Sequence, residues 1–185
     1  LGAYLPLRHE APAASLLEST PAAAKNLPAL SDPSMAPLVE LLTDKRVAKV
    51  GHNLKHDLLV LRRVGVELGG IDFDTMIASY VLDPGRRQDT LEVLSTDFLG
   101  HTPTAYTDVT GKGKKRLPIS QVTPNAAGTH VCEESDLILR LQARFQPTLV
   151  TQKMESLFHT LEMPLLPVLA EMEWAGIRIE PVFFG

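Results

Sequence analysis

A chain of 185 residues is long enough for one ordinary domain with a piece of a second, and 44% hydrophobic against 22% charged residues is the balance of a globular protein with a core. A formal charge of −4 excludes a protein whose main work is coating nucleic acid, which needs a basic excess, but leaves room for an enzyme built on carboxylates and a metal ion. No apolar run approaches the ~20 residues of a membrane span, the opening LGAYLPLRHE lacks the pattern of a signal peptide, and the single Cys132 excludes an intrachain disulfide and a Cys-rich zinc site, as suits a reducing cytoplasm.

In chain order, Gly2 to Leu7 alternates weakly and reads as a short strand. Residues 10–37 are rich in Ala, Pro and Ser and read as a surface connection holding one short helix. Pro37 to Thr43 is helical with proline near its first turn. Val47 to Val50 predicts a strand ending at Gly51-His52-Asn53, and Leu54 to Val64 a helix closed by Gly65. Val66 to Ile71 predicts another strand; Asp74-Thr75 then opens a helix that Asp83-Pro84 ends. Residues 90–99 form a further helix, followed by a basic glycine-rich loop, Gly111 to Arg116. Thr123 as cap and Pro124 at the first position start a helix expected to stop near Phe145, before Pro147. Beyond residue 150 a long helical stretch, Glu155 to Glu173, precedes Gly176 and an Ile-Arg-Ile strand, which places a domain boundary near 150. Strands separated by helices make residues 1–150 an α/β domain.

The helix after Pro124 carries a carboxylate where a core helix should have none. At 100° per residue, Ala127, His130, Val131, Leu137, Ile138, Leu141 and Phe145 all fall within about 60° of Glu134. A buried carboxylate has to be partnered, protonated or metal-bound. A Glu134–His130 ion pair, or pairing with a distant arginine, accounts for the pattern as well as a metal does. Asp57 shares a helix face with Val60, Leu61 and Val64, and a first-turn acid stabilising the helix dipole is its structural alternative. Two helices each presenting a carboxylate on a buried face suit a magnesium or manganese site.

At this point the motifs become familiar. Val50-Gly-His-Asn-Leu-Lys-His-Asp57 resembles the second exonuclease motif of the family-A DNA polymerases (the DNA polymerase I family). Gly70-Ile-Asp-Phe-Asp-Thr-Met76 and Ser79-Tyr-Val-Leu-Asp83 are similar to the segment after it, Tyr106 to Lys114 to the loop before the third motif, and residues 161–180, LEMPLLPVLAEMEWAGIRIE, to the opening of the polymerase domain. The resemblance runs through nearly the whole chain in the right order. It implies an α/β, ribonuclease-H-like 3′→5′ exonuclease fold over residues 1–150 and the start of a polymerase domain over 151–185. It also implies a bacterial-type cytoplasmic enzyme of DNA replication and repair, whose partners are the single-stranded 3′ end of a primer and the remainder of the polymerase chain. Two Mg2+ or Mn2+ ions about 3.5–4 Å apart would be the cofactors of the complete domain.

By position, Asp57 corresponds to the second-motif metal carboxylate, Glu134 to the third-motif aspartate and His130 to the tyrosine that orients the attacking water. Asn53 and Tyr106 match contacts to the 3′ end, Tyr106 as a stacking ring or simply a loop aromatic. Lys112, Lys114, Lys115 and Arg116 are phosphate contacts or a solvated loop. The chain departs from the family in two ways. The Asp-x-Glu first motif is absent, so the fold is entered at its third strand, with two strands and both first-motif carboxylates expected upstream. Histidine and glutamate also replace tyrosine and aspartate in the third motif; the histidine-type branch has its aspartate five residues on, where this chain has Ser135. The pair is either a working variant, histidine being a base near neutrality, or the remains of a lost site in a silent supporting domain. A free-standing ribonuclease-D-like enzyme is disfavoured, having no need of residues 161–180. The 185-residue piece alone is expected to be inactive, and the nuclease chemistry requires Asp57 and Glu134 to face one shared pocket.

Overall fold

A computed structural model describes residues 2–10, 26–180 and 183. The Ala-Pro-Ser-rich connection, with the short helix expected in it, falls largely on residues 11–25, outside the described residues. Helix α1 (Ala36–Thr43) leads to strand β1 (Lys49–Gly51), helix α2 (Leu54–Arg62), strand β2 (Ile71–Asp74) and helix α3 (Thr75–Leu82). The two strands pair in parallel, Val50 opposite Phe73 and Gly51 opposite Asp74. Parallel pairing needs a crossover, and α2 supplies it. The second strand starts later than the apolar run Val66 to Ile71 suggests, because Gly69 and Gly70 pass against the carbonyls of Thr43 and Val47, where a Cβ would stand 2.3 Å and 2.2 Å away. That close approach belongs to the bend before the strand.

Side-chain chemistry marks the starts of three α-helices. Thr90 caps α4 (Leu91–Leu99), and Gly100, at φ 63°, closes it in the left-handed region. A one-turn helix α5 (Tyr106–Thr110) interrupts the loop before α6 (Pro124–Thr151), which Thr123 caps as expected. The long helix does not stop before Pro147: that residue lies inside it. An internal proline costs about 3 kcal/mol, but Leu141, Phe145 and Leu149 are all buried on one stripe across it, so packing holds the helix together. Gly2 to Leu7 forms no strand; it runs as irregular chain against α6, with Gly2 on Cys132 and Tyr4 on Gly128. Residues 177–180 are likewise irregular rather than a strand.

One core joins the parts. Phe73, Ala78, Val81 and Leu94 pack with Leu141, Phe145 and Leu149 of α6, and Phe158 and Met163 belong to the same cluster. The ring of Phe158 lies 4.8 Å from that of Phe73. The stretch after residue 150 is a short helix α7 (Glu155–Leu157), a π-helical turn Phe158–Glu162 and helix α8 (Met163–Ala175), seated against α2. Packing therefore continues across residue 150.

The N-terminus of α2 depends on Asp74. Fully buried, its carboxylate accepts from the N–H groups of Met76 (2.8 Å) and Ile77 (3.3 Å), which caps α3, and from Asn53 (3.1 Å) and Leu54 (2.7 Å) at the start of α2. One side chain thus serves the unpaired donors of two helices. Replacing it by alanine leaves those buried donors unserved and should cost on the order of 3 kcal/mol, against about 1 kcal/mol for Thr90→Ala, which loses a single cap bond. Urea denaturation of the two variants checks the ordering; equal losses would refute it.

Candidate functional site

Gly51, His52 and Asn53 link β1 to α2. Asn53 sits in the left-handed region (φ 61°, ψ 48°), unusual for a residue other than glycine, and the Asp74 carboxylate holds it there. His52 Nδ1 is 2.9 Å from Thr75 Oγ1, whose hydroxyl donates to the Gly51 carbonyl. The histidine must then donate from Nδ1, leaving Nε2 as an acceptor. Burial pushes His52 below its ordinary pKa, although the Asp74 and Asp89 carboxylates pull the other way, so the neutral ring fits this arrangement.

Asp57, one turn into α2, is where the expectation needs correcting. It is exposed and has no hydrogen-bond or ion-pair partner among the described residues. The face it shares with Val60, Leu61 and Val64 lines a separate groove with Leu7, Arg8 and Leu30, because α2 turns Leu58 and Leu59 toward α8 instead. Desolvation by the surrounding protein still pushes its carboxyl above the ordinary range; His56 opposes this and Asp74 adds to it. Water that reaches the exposed carboxylate can hydrate it, so the charge needs no protein partner.

On α6 the predicted face is right but its surroundings differ. Ala127, His130, Leu137, Leu141 and Phe145 are buried as predicted. Glu134, at the angular centre of that stripe, is 41% exposed, because at its level the helix looks into an open groove rather than onto packed protein. Its Oε1 lies 3.5 Å from Nε2 of buried His130, whose Nδ1 has no partner among the described residues. Partial burial raises the Glu134 carboxyl, His130 opposes, and Glu92 and Glu133 add to the rise. The groove, about 710 Å3, is lined by His52, Asn53, Met76, Ile77, Tyr80, Asp89, Thr90, Leu91, Glu92, Glu134 and Glu162. Asn53 and Glu134 therefore meet there, and Asp57 does not line it.

The remaining predicted residues divide. Tyr106 lies beside His130, ring centroids 6.1 Å apart, and the Arg116 guanidinium stands 5.1 Å over its ring. Lys112 is 3.5 Å from Asp108 on the surface, and Lys114 is exposed. Sequence reasoning missed Glu133, which accepts from His101 Nε2 (2.8 Å) and the Thr104 N–H (3.2 Å) and so ties the loop carrying Tyr106 to α6. No local pattern marks it, since its partners lie about thirty residues away along the chain. Among the described residues no group of three or more His, Cys, Asp or Glu is gathered closely enough to hold a metal ion. Glu134 lines the groove and Asp57 does not, so the two carboxylates are not gathered at one pocket. By themselves they do not fit a two-ion site.

A parallel strand pair crossed by α2 and backed by α6 is part of an α/β domain of the ribonuclease-H-like class. The family described as DNA polymerase I, ribonuclease H-like domain, matches residues 22–141. DNA polymerase I of Rhizobium leguminosarum is 41% identical over 178 residues, covering 96% of this chain and 17% of that protein. The Pseudomonas aeruginosa DNA polymerase I is 34% identical over 157 residues, 83% of this chain and 17% of the relative. A solved structure, the POL domain of Pol1 from M. smegmatis in complex with DNA primer-template and dNTP, superposes with a TM-score of 0.67 at 27% identity, over 80% of this chain and 23% of that one. The chain belongs to the DNA polymerase I family and carries part of its ribonuclease H-like domain. It spans less than a fifth of the length of these curated relatives.

The two adjacent glutamates of α6 should have pKa values shifted in opposite directions. Glu134 is raised by burial, whereas the His101 hydrogen bond holds Glu133 below its ordinary value. The stabilising contribution of Glu133 is therefore present above the unfolded carboxylate range and is lost as pH falls through its lowered pKa. Carboxyl-carbon NMR titration should order them Glu133 below Glu134, and His101→Ala should raise Glu133 toward an ordinary glutamate. Coincident titrations would contradict this assignment.

Proposed function

We propose that the chain is a segment of the 3′→5′ exonuclease domain of a DNA polymerase I, with residues 1–150 in that domain and 151–185 opening the polymerase domain. It takes the single-stranded 3′ end of a DNA primer into the groove beside Asn53. The observation that carries this reading is that Asn53, held in a left-handed turn after β1, and Glu134, on a different element, open into one groove with Tyr106 and Arg116 nearby. A 3′ end needs a polar contact, a stacking ring and cations for its phosphates. Here Asn53 contacts the terminal nucleotide, Tyr106 offers the face not covered by Arg116, and Lys112, Lys114 and Arg116 meet the backbone.

In this reading Glu134 is a helix-borne carboxylate of a Mg2+ or Mn2+ site in the groove, and His130, 3.5 Å from it and with no partner at Nδ1 among the described residues, is the base beside it; Asp57, outside the groove, joins that site only through ligands from the rest of the polymerase. No group of three or more metal-binding side chains is gathered among the described residues, so the reading requires further carboxylates from elsewhere in the polymerase. A second reading, a catalytically silent domain that supports the polymerase and contacts DNA passively, is favoured by Asp57 lying outside the groove and by Glu134 being occupied with His130.

The intact polymerase, given a primer with a mismatched 3′ end and Mg2+ but no nucleotides, separates the two readings. Shortening of the primer that stops on chelation and falls by about 100-fold or more in Glu134→Gln or Asp57→Asn, with polymerisation unchanged, supports the exonuclease. No shortening, with binding of a single-stranded 3′ end retained, supports the silent domain. In either case Tyr106→Ala should weaken that binding by about 1–3 kcal/mol, measured by fluorescence anisotropy.

A further inference from the structure

One turn of α6 works in two directions. Glu134 looks into the groove. Glu133, about 100° round the helix from it, commits both of its oxygens to the loop that follows α4: Oε1 accepts from His101 Nε2 at 2.8 Å and Oε2 from the Thr104 N–H at 3.2 Å. That loop leads directly into α5, whose first residue is Tyr106. Helix α5 is barely more than one turn and has no side-chain cap at its N-terminus, and a helix so short does not hold its own position. The contacts of the Tyr106 ring are not directional: it lies 6.1 Å from the His130 ring and 5.1 Å below the Arg116 guanidinium, and a ring can slide across both. The two bonds to Glu133 are directional, and they reach α6 at the turn that carries His130 and Glu134.

We infer that Glu133 is a positioning residue for the 3′ end of DNA: it fixes the Tyr106 ring relative to Glu134 and acts on the nucleotide only through that ring. The inference rests on the reading that Tyr106 stacks on the single-stranded 3′ end. Glu133 itself does not line the groove. The side chains of His101 and Glu133 are 42% and 24% exposed, so their pairing adds little to the stability of the fold. What it supplies is placement. A stacked base gains from a ring only where the two planes meet, so a loop released from α6 weakens the stack without removing the ring.

A double-mutant cycle in the intact polymerase tests this, with affinity for a single-stranded DNA 3′ end read by fluorescence anisotropy in the presence of a chelator. Glu133→Ala should weaken binding by more than about threefold, beyond the scatter with which independent sites add; a smaller loss overturns the inference. Combined with Tyr106→Ala, the same substitution should keep less than half of its effect on a logarithmic scale, because no ring is left to position. Keeping more than half overturns the inference, since Glu133 would then act by another route. Glu133→Gln should recover more than half of the loss: its oxygen still accepts from Thr104 and its amide donates to the other tautomer of His101. A smaller recovery counts against the hydrogen-bonded tie and overturns it. Should Glu133→Ala fail to fold, His101→Ala removes one of the two bonds from the loop side and carries the same cycle. Tyr106→Ala that binds as tightly as the unaltered polymerase removes the stacking reading and this inference together. A loss for Tyr106→Ala without one for Glu133→Ala sinks this inference alone.

Discussion

The architecture turns on a buried carboxylate at the end of the second strand. Asp74 carries its charge into the interior, where an unsatisfied carboxylate would cost several kcal/mol, and four backbone N–H groups from two helix N-termini offset that cost. The helix dipoles act in the same direction, since both positive ends point at one anion. The geometry follows from this arrangement. The chain leaves β1, passes through the left-handed Asn53 and starts α2 at the place the Asp74 oxygens dictate. The face that α2 shows to the groove, and the level at which Asn53 stands, are set by a residue about twenty positions further along the chain.

Because α2 is fixed at its N-terminus and seated on α8, its other face is left open. Asp57 occupies that open face, and Glu134 looks into a groove from α6. Both carboxylates are reached by water, so neither has to be neutralised by a partner within the segment. Desolvation by the surrounding protein raises both carboxyls above their ordinary range. Among the described residues the two acids do not come together with others as a metal centre. The His130–Glu134 contact couples a buried ring to a half-exposed acid, and the Glu133–His101 contact beside it anchors the loop that brings Tyr106 alongside.

The same tension between faces runs through the C-terminal helices. Phe158 and Met163 enter the core around Phe73, so the π-helical turn at Phe158–Glu162 lies where the chain re-enters the domain. Past that turn the helix buries Leu166 and Ala170 and leaves Leu165, Val168, Leu169 and Met172 exposed, while the half-exposed Glu171 and Glu173 pair with Arg62 and Lys55. The segment is packed as part of the domain on one side and is apolar on the other.

Much of this was legible in the order of residues. Thr123-Pro124, Thr90 and Asp74-Thr75 announce helix starts because capping is local chemistry, completed within three or four residues, and Gly100 closes a helix for the same reason. The face of α6 followed from its period alone, and the resemblance to the polymerase family followed from motifs in register. What the sequence could not determine is what lies opposite a face. Periodicity placed Glu134 at the centre of an apolar stripe and Asp57 beside Val60 and Leu61, but whether protein or water covers those stripes depends on contacts between distant elements. Pro147 was likewise read as a stop by local rules and overridden by the packing of Phe145 and Leu149 on either side. The reach of Asp74 back to α2, the pairing of Glu133 with His101 and the seating of α8 on α2 belong to the tertiary structure alone, because each joins residues that only the fold brings into contact.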